Sequence, residues 1–172
     1  ALQGDLSLTC RMNEIDLTPY TPADHTWLVE RHQTLYRLND EFDDSFGPLV
    51  NDILKDFEAN SDPSCEMGWI ARDKDGLRLG SIFCVKLDDQ TAKLRLFLCV
   101  PEARGLGLGK RLLAHCMAFA KAQRFQRMSL WTHESHESAC ALYTRTGWAC
   151  VSSKPVHSFG VSLTKQQWEI TL

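Results

Sequence analysis

Three glycines on alternate positions, Arg104-Gly105-Leu106-Gly107-Leu108-Gly109, stand between a segment of alternating apolar residues and a segment of helical period. Such a junction constrains much of what surrounds it. Glycine lets the chain turn sharply out of a strand, and the N–H groups of the next helix's first turn then point at any anion that approaches. Upstream, Leu94, Leu96, Leu98 and Val100 alternate with Lys93, Arg95, Phe97 and Cys99, which predicts a strand over residues 92–100. Downstream, Leu112, Leu113, Cys116, Met117 and Ala120 form the buried stripe of a helix over residues 108–124.

The loop is therefore a phosphate binder, and the spacing says which phosphates it does not fit. A Walker loop requires Gly-x-x-x-x-Gly-Lys-Ser/Thr, but counting back from Gly109-Lys110 puts Arg104 at the first glycine and Arg111 at the hydroxyl. A dinucleotide loop requires Gly-x-Gly-x-x-Gly, but from Gly105 the last position is Lys110, and from Gly107 it is Leu112. Both patterns fail.

Around the loop the chain reads as a mixture of helices and strands. Residues 1–11 show no period and are expected to be a tail or tag remnant, with one domain over residues 12–172. A short strand is expected at residues 13–17. Thr21 is placed to cap a helix opened by Pro22, along which Trp27, Leu28, His32, Leu35 and Tyr36 recur. The acidic run Asp40, Glu41, Asp43, Asp44 reads as a solvated loop that could attract a cationic acceptor. It ends at Gly47-Pro48, after which Leu49, Val50, Ile53, Leu54 and Phe57 mark a second helix. Strands over residues 67–72 and 79–87 flank Asp73-Lys74-Asp75-Gly76, a hairpin signal. Another strand is expected at residues 127–131, then a helix capped by Ser135 and stopped by Gly147. Strands at 148–152 and 166–172, joined by a connection containing Pro155, finish the chain.

Composition narrows the partners. The net charge is −3 and no basic run exceeds a pair, which argues against a nucleic-acid partner for this domain. No apolar run approaches the roughly 20 residues of a membrane helix. The seven cysteines are scattered without a Cys-x-x-Cys pair, which fits reduced core thiols in the cytoplasm better than disulfides or a metal site. No metal is expected.

The glycine loop resembles the Gln/Arg-x-x-Gly-x-Gly/Ala motif with which the GNAT family of N-acetyltransferases binds acetyl-CoA. Ala139-Cys140-Ala141-Leu142-Tyr143 and Gly147-Trp148 are similar to that family's second signature, Ala-x-x-Leu-Tyr followed by Gly-Phe/Trp. The resemblance covers residues 12–172. It implies an α/β (α+β) fold, a mixed and mostly antiparallel central sheet of about seven strands flanked by about four helices. It also implies transfer of an acetyl group from acetyl-CoA to an amine of a small molecule or protein, and it leaves room for a homodimer. Arg31 to Tyr36, Lys93 to Leu96, Trp131-Thr132, His157 to Gly160 and Gln167 to Ile170 look like the acetyltransferase half of proteins that join a MarR-type winged helix to this fold.

By the resemblance, Leu98, Cys99 and Val100 lie along the pantetheine arm, and Arg104, Gly105, Leu106, Gly107, Leu108, Gly109 and Lys110 surround the pyrophosphate, with His136 also beside the cofactor. Tyr143 aligns with a tyrosine near the sulfur that serves as general acid. The family's strand glutamate is missing, since Lys93 to Cys99 contains no carboxylate, so the candidates for a base or a water-mediated relay are Glu134, His133 and His136 after the next strand. His32 and His157 are candidates for the acceptor pocket. The rival reading, prompted by the absent carboxylate, is a catalytically weak acyl-CoA sensor.

Overall fold

The computed structural model describes residues 14–172, so Cys10, the expected tail and the start of the expected first strand lie outside it. Among the described residues, β1 (Asp16–Pro19) leads through a 3-10 turn (Pro22–Asp24) into α1 (His25–Asp40) and α2 (Phe46–Asn60). The meander β2 (Met67–Arg72), β3 (Arg78–Lys86) and β4 (Thr91–Cys99) follows. A second 3-10 turn (Pro101–Ala103) precedes α3 (Leu108–Ala122), β5 (Arg127–His133), α4 (Glu137–Arg145), β6 (Ala149–Ser158) and β7 (Val161–Thr171). The seven strands form one sheet in the order β1-β2-β3-β4-β5-β7-β6. Every neighbouring pair is antiparallel except β4 with β5.

Local chemistry accounts for the turns. Asp73 accepts the N–H groups of Asp75 and Leu77 at 2.9 Å each, and Gly76 takes the positive φ of 81° that closes the hairpin. At the entry to α1, the Thr21 N–H donates to Asp24 at 3.0 Å in a capping box.

The two sheet faces have separate covers. On β3, Ile82 and Cys84 pack with Leu112, Leu113 and Cys116 of α3, while Phe83 between them packs with Leu28 of α1 and Val50 and Leu54 of α2. Alternation along one strand thus seats helices on both sides.

Several expectations need correction. The strands expected at 148–152 and 166–172 run longer, as β6 and β7, and only the turn at Phe159-Gly160 separates them. Pro155 lies inside β6, opposite Thr164, and not in a loop; β6 is the sheet edge, where a residue without an N–H removes no ladder bond. Ser135 does not cap α4: the N-cap is His136, and the Ser135 hydroxyl donates to Asp40 instead. The second helix starts at Phe46, ahead of Gly47-Pro48, because proline is tolerated in a first turn whose N–H groups have no helical acceptor.

Candidate active site

β4 and β5 touch only briefly. Their parallel register runs Thr91 to Arg127, Ala92 to Met128 and Lys93 to Ser129, and beyond that the strands part. Leu94 to Cys99 and Leu130 to His133 thus face each other across a gap with their ladder groups unpaired on that side. A bulge bends β4 at the start of the gap: Leu96 and Phe97 together oppose Ile82, and Leu96 takes a φ of 49°, rare for a branched side chain. The Ser81 hydroxyl fixes the bulge by donating to the Leu96 carbonyl at 2.6 Å.

At the far end of the gap the chain turns into α3. Gly105 and Gly107 have φ of 79° and 73°, and a Cβ on either would meet no atom within 4 Å, so the space before the loop is open. The N–H groups of Gly105, Gly107, Leu108, Gly109 and Lys110 have no hydrogen-bond partner among the described residues. Arg104 and Lys110 are exposed beside them. Five unpartnered amide donors in a loop and helix N-terminus, flanked by two cations, suit the pyrophosphate of acetyl-CoA. Of the three residues before the loop, Val100 donates its N–H to Leu79 of β3 at 2.9 Å. Amide direction alternates along a strand, so the Cys99 main chain is the one turned to the gap.

Beneath the gap, three elements meet. A Cβ on Gly109 of α3 would stand 3.6 Å from Leu142 of α4, 3.7 Å from Phe97 and 3.8 Å from the Cys99 sulfur. Next to them Tyr143 is 3% exposed, its ring 6.5 Å from Phe97 and 5.7 and 5.8 Å from Trp148 and Trp168. Its hydroxyl makes no hydrogen bond among the described residues. Burial, then the nearby Tyr36 and cysteines, raises its pKa, so the phenol keeps its proton. Burial also pushes the Cys99 thiol up to about 11, which leaves it un-ionised and inert.

The loop after β5 separates the base candidates. Glu134 is exposed, and its N–H is tied to the Thr164 carbonyl at 2.9 Å. His133 points the other way, its ring 5.6 Å from Phe42 and its Nδ1 buried without a partner; burial, then the charge of His136, lowers its pKa to about 4. It is neutral at neutral pH. His136 donates from Nε2 to Asp40 at 3.0 Å, which leaves Nδ1 to accept from the Thr132 hydroxyl at 3.2 Å. Asp40 was visible in the sequence only as one of four acidic residues. Its carboxylate is 5% exposed, and although burial raises its pKa, hydrogen bonds and charge from His136 and Ser135 bring it below the usual carboxylate value. This Asp-His-Thr chain joins residues 96 apart and had no local signal.

The remaining candidates stand apart from this chain. His32 is buried, donates from Nδ1 to the Leu28 carbonyl at 2.8 Å and stacks on Tyr36 at 6.0 Å. His157 is exposed on β6, 3.4 Å from the Ser162 hydroxyl. The acidic loop is only partly solvated, because Asp43 donates its N–H to the Phe159 carbonyl at 2.9 Å and Phe42 stacks on Phe159 at 4.8 Å.

Comparisons with known proteins identify the family and the fold. A model of the Acetyltransferase (GNAT) family matches residues 23–148. The 5-NmdU N-acetyltransferase of Pseudomonas phage PaMx11 is 28% identical over 109 residues, 62% of this chain and 75% of that protein. A GNAT-family acetyltransferase from Staphylococcus aureus Mu50 shares the fold with a TM-score of 0.75 at 21% identity, over 92% of this chain and 99% of that one. Spermidine N-acetyltransferase from Vibrio cholerae, in complex with CoA and spermine, does so with a TM-score of 0.70 at 15% identity, over 92% and 96% of the two chains.

Proposed function

The chain belongs to the Acetyltransferase (GNAT) family, and on that premise we propose that it transfers the acetyl group of acetyl-CoA to the amine of a small molecule or of a protein. The observation that carries this is the parting of β4 from β5 directly upstream of five unpartnered amide donors: a phosphate cradle at one end of a slot able to hold an extended thioester arm.

Acetyl-CoA supplies an activated thioester. The chain's residues would supply the rest. Gly105, Gly107, Leu108, Gly109 and Lys110 hold the pyrophosphate, Arg104 neutralises it, and the Cys99 main chain orients the arm. Tyr143 keeps a proton for the departing thiolate, a role that its raised pKa and position beside Cys99 support. For the attacking ammonium, two imidazoles are on hand. His133 is neutral but a weak base, whereas His136 is backed by the Asp40 carboxylate and reaches the Thr132 hydroxyl on β5. His136 is the better supported route for the amine's proton, and Glu134, pointing to solvent, is the poorest.

Phe159, Lys93, Arg95 and Trp131, which belong to the segments that carry the MarR-fusion resemblance, lie on the α1/α2 face or pack against α2, and this supports reading that face as the acceptor side. The six described cysteines are free thiols, which suits a cytoplasmic setting.

The test is release of free CoA from acetyl-CoA in the presence of a library of amines. Turnover with at least one amine is expected, and His136→Gln should lose it more severely than Glu134→Gln. Tight acetyl-CoA binding without CoA release for any amine would favour the sensor.

A further inference from the structure

The strand that feeds the glycine loop carries two cations where it meets the gap, Lys93 and Arg95. Register puts both on the α1/α2 face, Lys93 opposite Val85 and Arg95 opposite Phe83, the residue those helices cover. Lys93 stands at the apex where β4 and β5 part, and its Nζ lies 4.7 Å from the centre of the Trp131 ring. Across β5, Lys165 of β7 is opposite both His133 and Lys154 of β6. Residues facing one another across a ladder, or two apart on a strand, share a face, so Lys93, Arg95, Trp131, His133, Lys154 and Lys165 make one wall.

None of these four cations has an ion pair among the described residues. The carboxylates in reach do not pair with them. Asp56 of α2 favours the Arg95 charge from a distance without pairing, and Glu169, opposite Ser129 on the same face, keeps its charge but points it at the Ser129 hydroxyl at 3.3 Å and the Gln167 amide at 3.2 Å and not at a cation. Lys93 and Arg95 are also half-buried, and burial followed by repulsion from Arg95 and Lys165 presses the Lys93 pKa down. Half-dehydrated cations gathered without a paired carboxylate are costly to keep. Overall charge does not explain them, since the chain is net negative at −3.

Resting on the acetyltransferase reading above, we propose that this wall is an anion subsite of the acceptor cleft, so that the acceptor is a small amine that also carries a carboxylate or a phosphate. The anionic group would complete the shell of Lys93, Arg95 and Lys165 and leave the amine pointing over the apex into the gap. Polyamines would meet the same wall as like charges.

The experiment follows CoA release with matched acceptors: β-alanine against β-alaninamide, O-phosphoethanolamine against ethanolamine, with spermidine and putrescine as cationic members. Acetyl-CoA affinity is measured by calorimetry on the wild type and on Lys93→Gln, Arg95→Gln and Lys165→Gln. The anionic member of a pair should have the higher kcat/KM by about tenfold or more, the scale of one hydrogen bond to a charged group. The preference should shrink in each variant, return in Lys93→Arg, and leave acetyl-CoA affinity unchanged. A gain confined to one pair identifies the group as carboxylate or phosphate. Equal rates within both pairs, or a preference for polyamines, would overturn the subsite and leave acetyl transfer standing. If no amine is turned over, the same pairs are titrated into the CoA-loaded protein, and equal affinity overturns the subsite. Failure of acetyl-CoA to bind would overturn the transferase reading itself.

Discussion

Tyr143 and His32 show how burial sets protonation at single residues. Ionising the Tyr143 phenol in its nearly dry site is unfavourable, so its proton is present at neutral pH. Tyr143→Phe should lower kcat by about a hundredfold, the contribution of one positioned acid, with acetyl-CoA affinity unchanged by calorimetry. An unaltered kcat would reduce the residue to packing. His32 presents the opposite sign. It is 2% exposed with Nε2 lacking a partner, and burial lowers its pKa from 6.5 to about 4. A folded pKa below the unfolded one means that the unfolded chain binds the extra proton first, so stability is full above about pH 6.5 and declines as pH falls toward 4. The loss is roughly 3 kcal/mol for a shift of this size. Urea titrations at pH 7 and pH 4.5 should therefore show a smaller acid loss in His32→Met than in the wild type, whatever the two absolute stabilities.

Among the elements, the glycine loop and the entry to α1 carry the sharpest demands. Gly107 is the N-cap of α3 at a φ of 73° with open space in front of it, so a side chain there strains the backbone and occupies the ligand's approach without striking the protein. Gly107→Val should cost about 1–2 kcal/mol of stability, and acetyl-CoA binding should fall below detection in calorimetry. Unchanged affinity would mean that the cradle lies elsewhere. At the other end of the sheet, Asp24 is fully buried, where it accepts from Arg72, from Arg78 Nε at 2.8 Å and from the Thr21 N–H at 3.0 Å. Asp24→Ala would take the carboxylate from two partly exposed arginines, leaving Arg72 its bond to Thr18 and Arg78 its bond to the Ala23 carbonyl, and should cost about 2–3 kcal/mol by urea denaturation.

Such elements were legible where their causes are local. Alternation along Lys93 to Val100 and the Asp73 to Gly76 turn are written in consecutive residues, and β3 and β4 fall within a residue of their expected bounds. Pro155 misled because its tolerance depends on β6 being an edge, a fact of topology that no window around the proline contains.

For the whole molecule, what could not be read is what distant segments do to one another. The glycine loop declared itself, but the gap that gives it a use comes from β4 and β5 abandoning their pairing after Lys93 and Ser129, and the Asp40 to His136 bond spans the fold. The proposed acceptor side is likewise assembled from far-apart pieces, α1 and α2 on one flank and the β6–β7 turn on the other. One aromatic knot ties them. Phe159 in that turn stacks on Phe42 at 4.8 Å and meets Phe46 edge-on at 5.0 Å, while Asp43 donates to its carbonyl. The ring contacts of this knot run to α1, α2 and His133 of β5, away from the glycine loop, so the two substrates should respond to it separately. Phe159→Ala is expected to raise the acceptor KM by about tenfold, as the loss of one aromatic contact pair would, while the calorimetric affinity for acetyl-CoA stays within twofold of wild type. A parallel loss of both affinities would mean that the knot supports the sheet as a whole, and that the two sides of the gap are not independent walls.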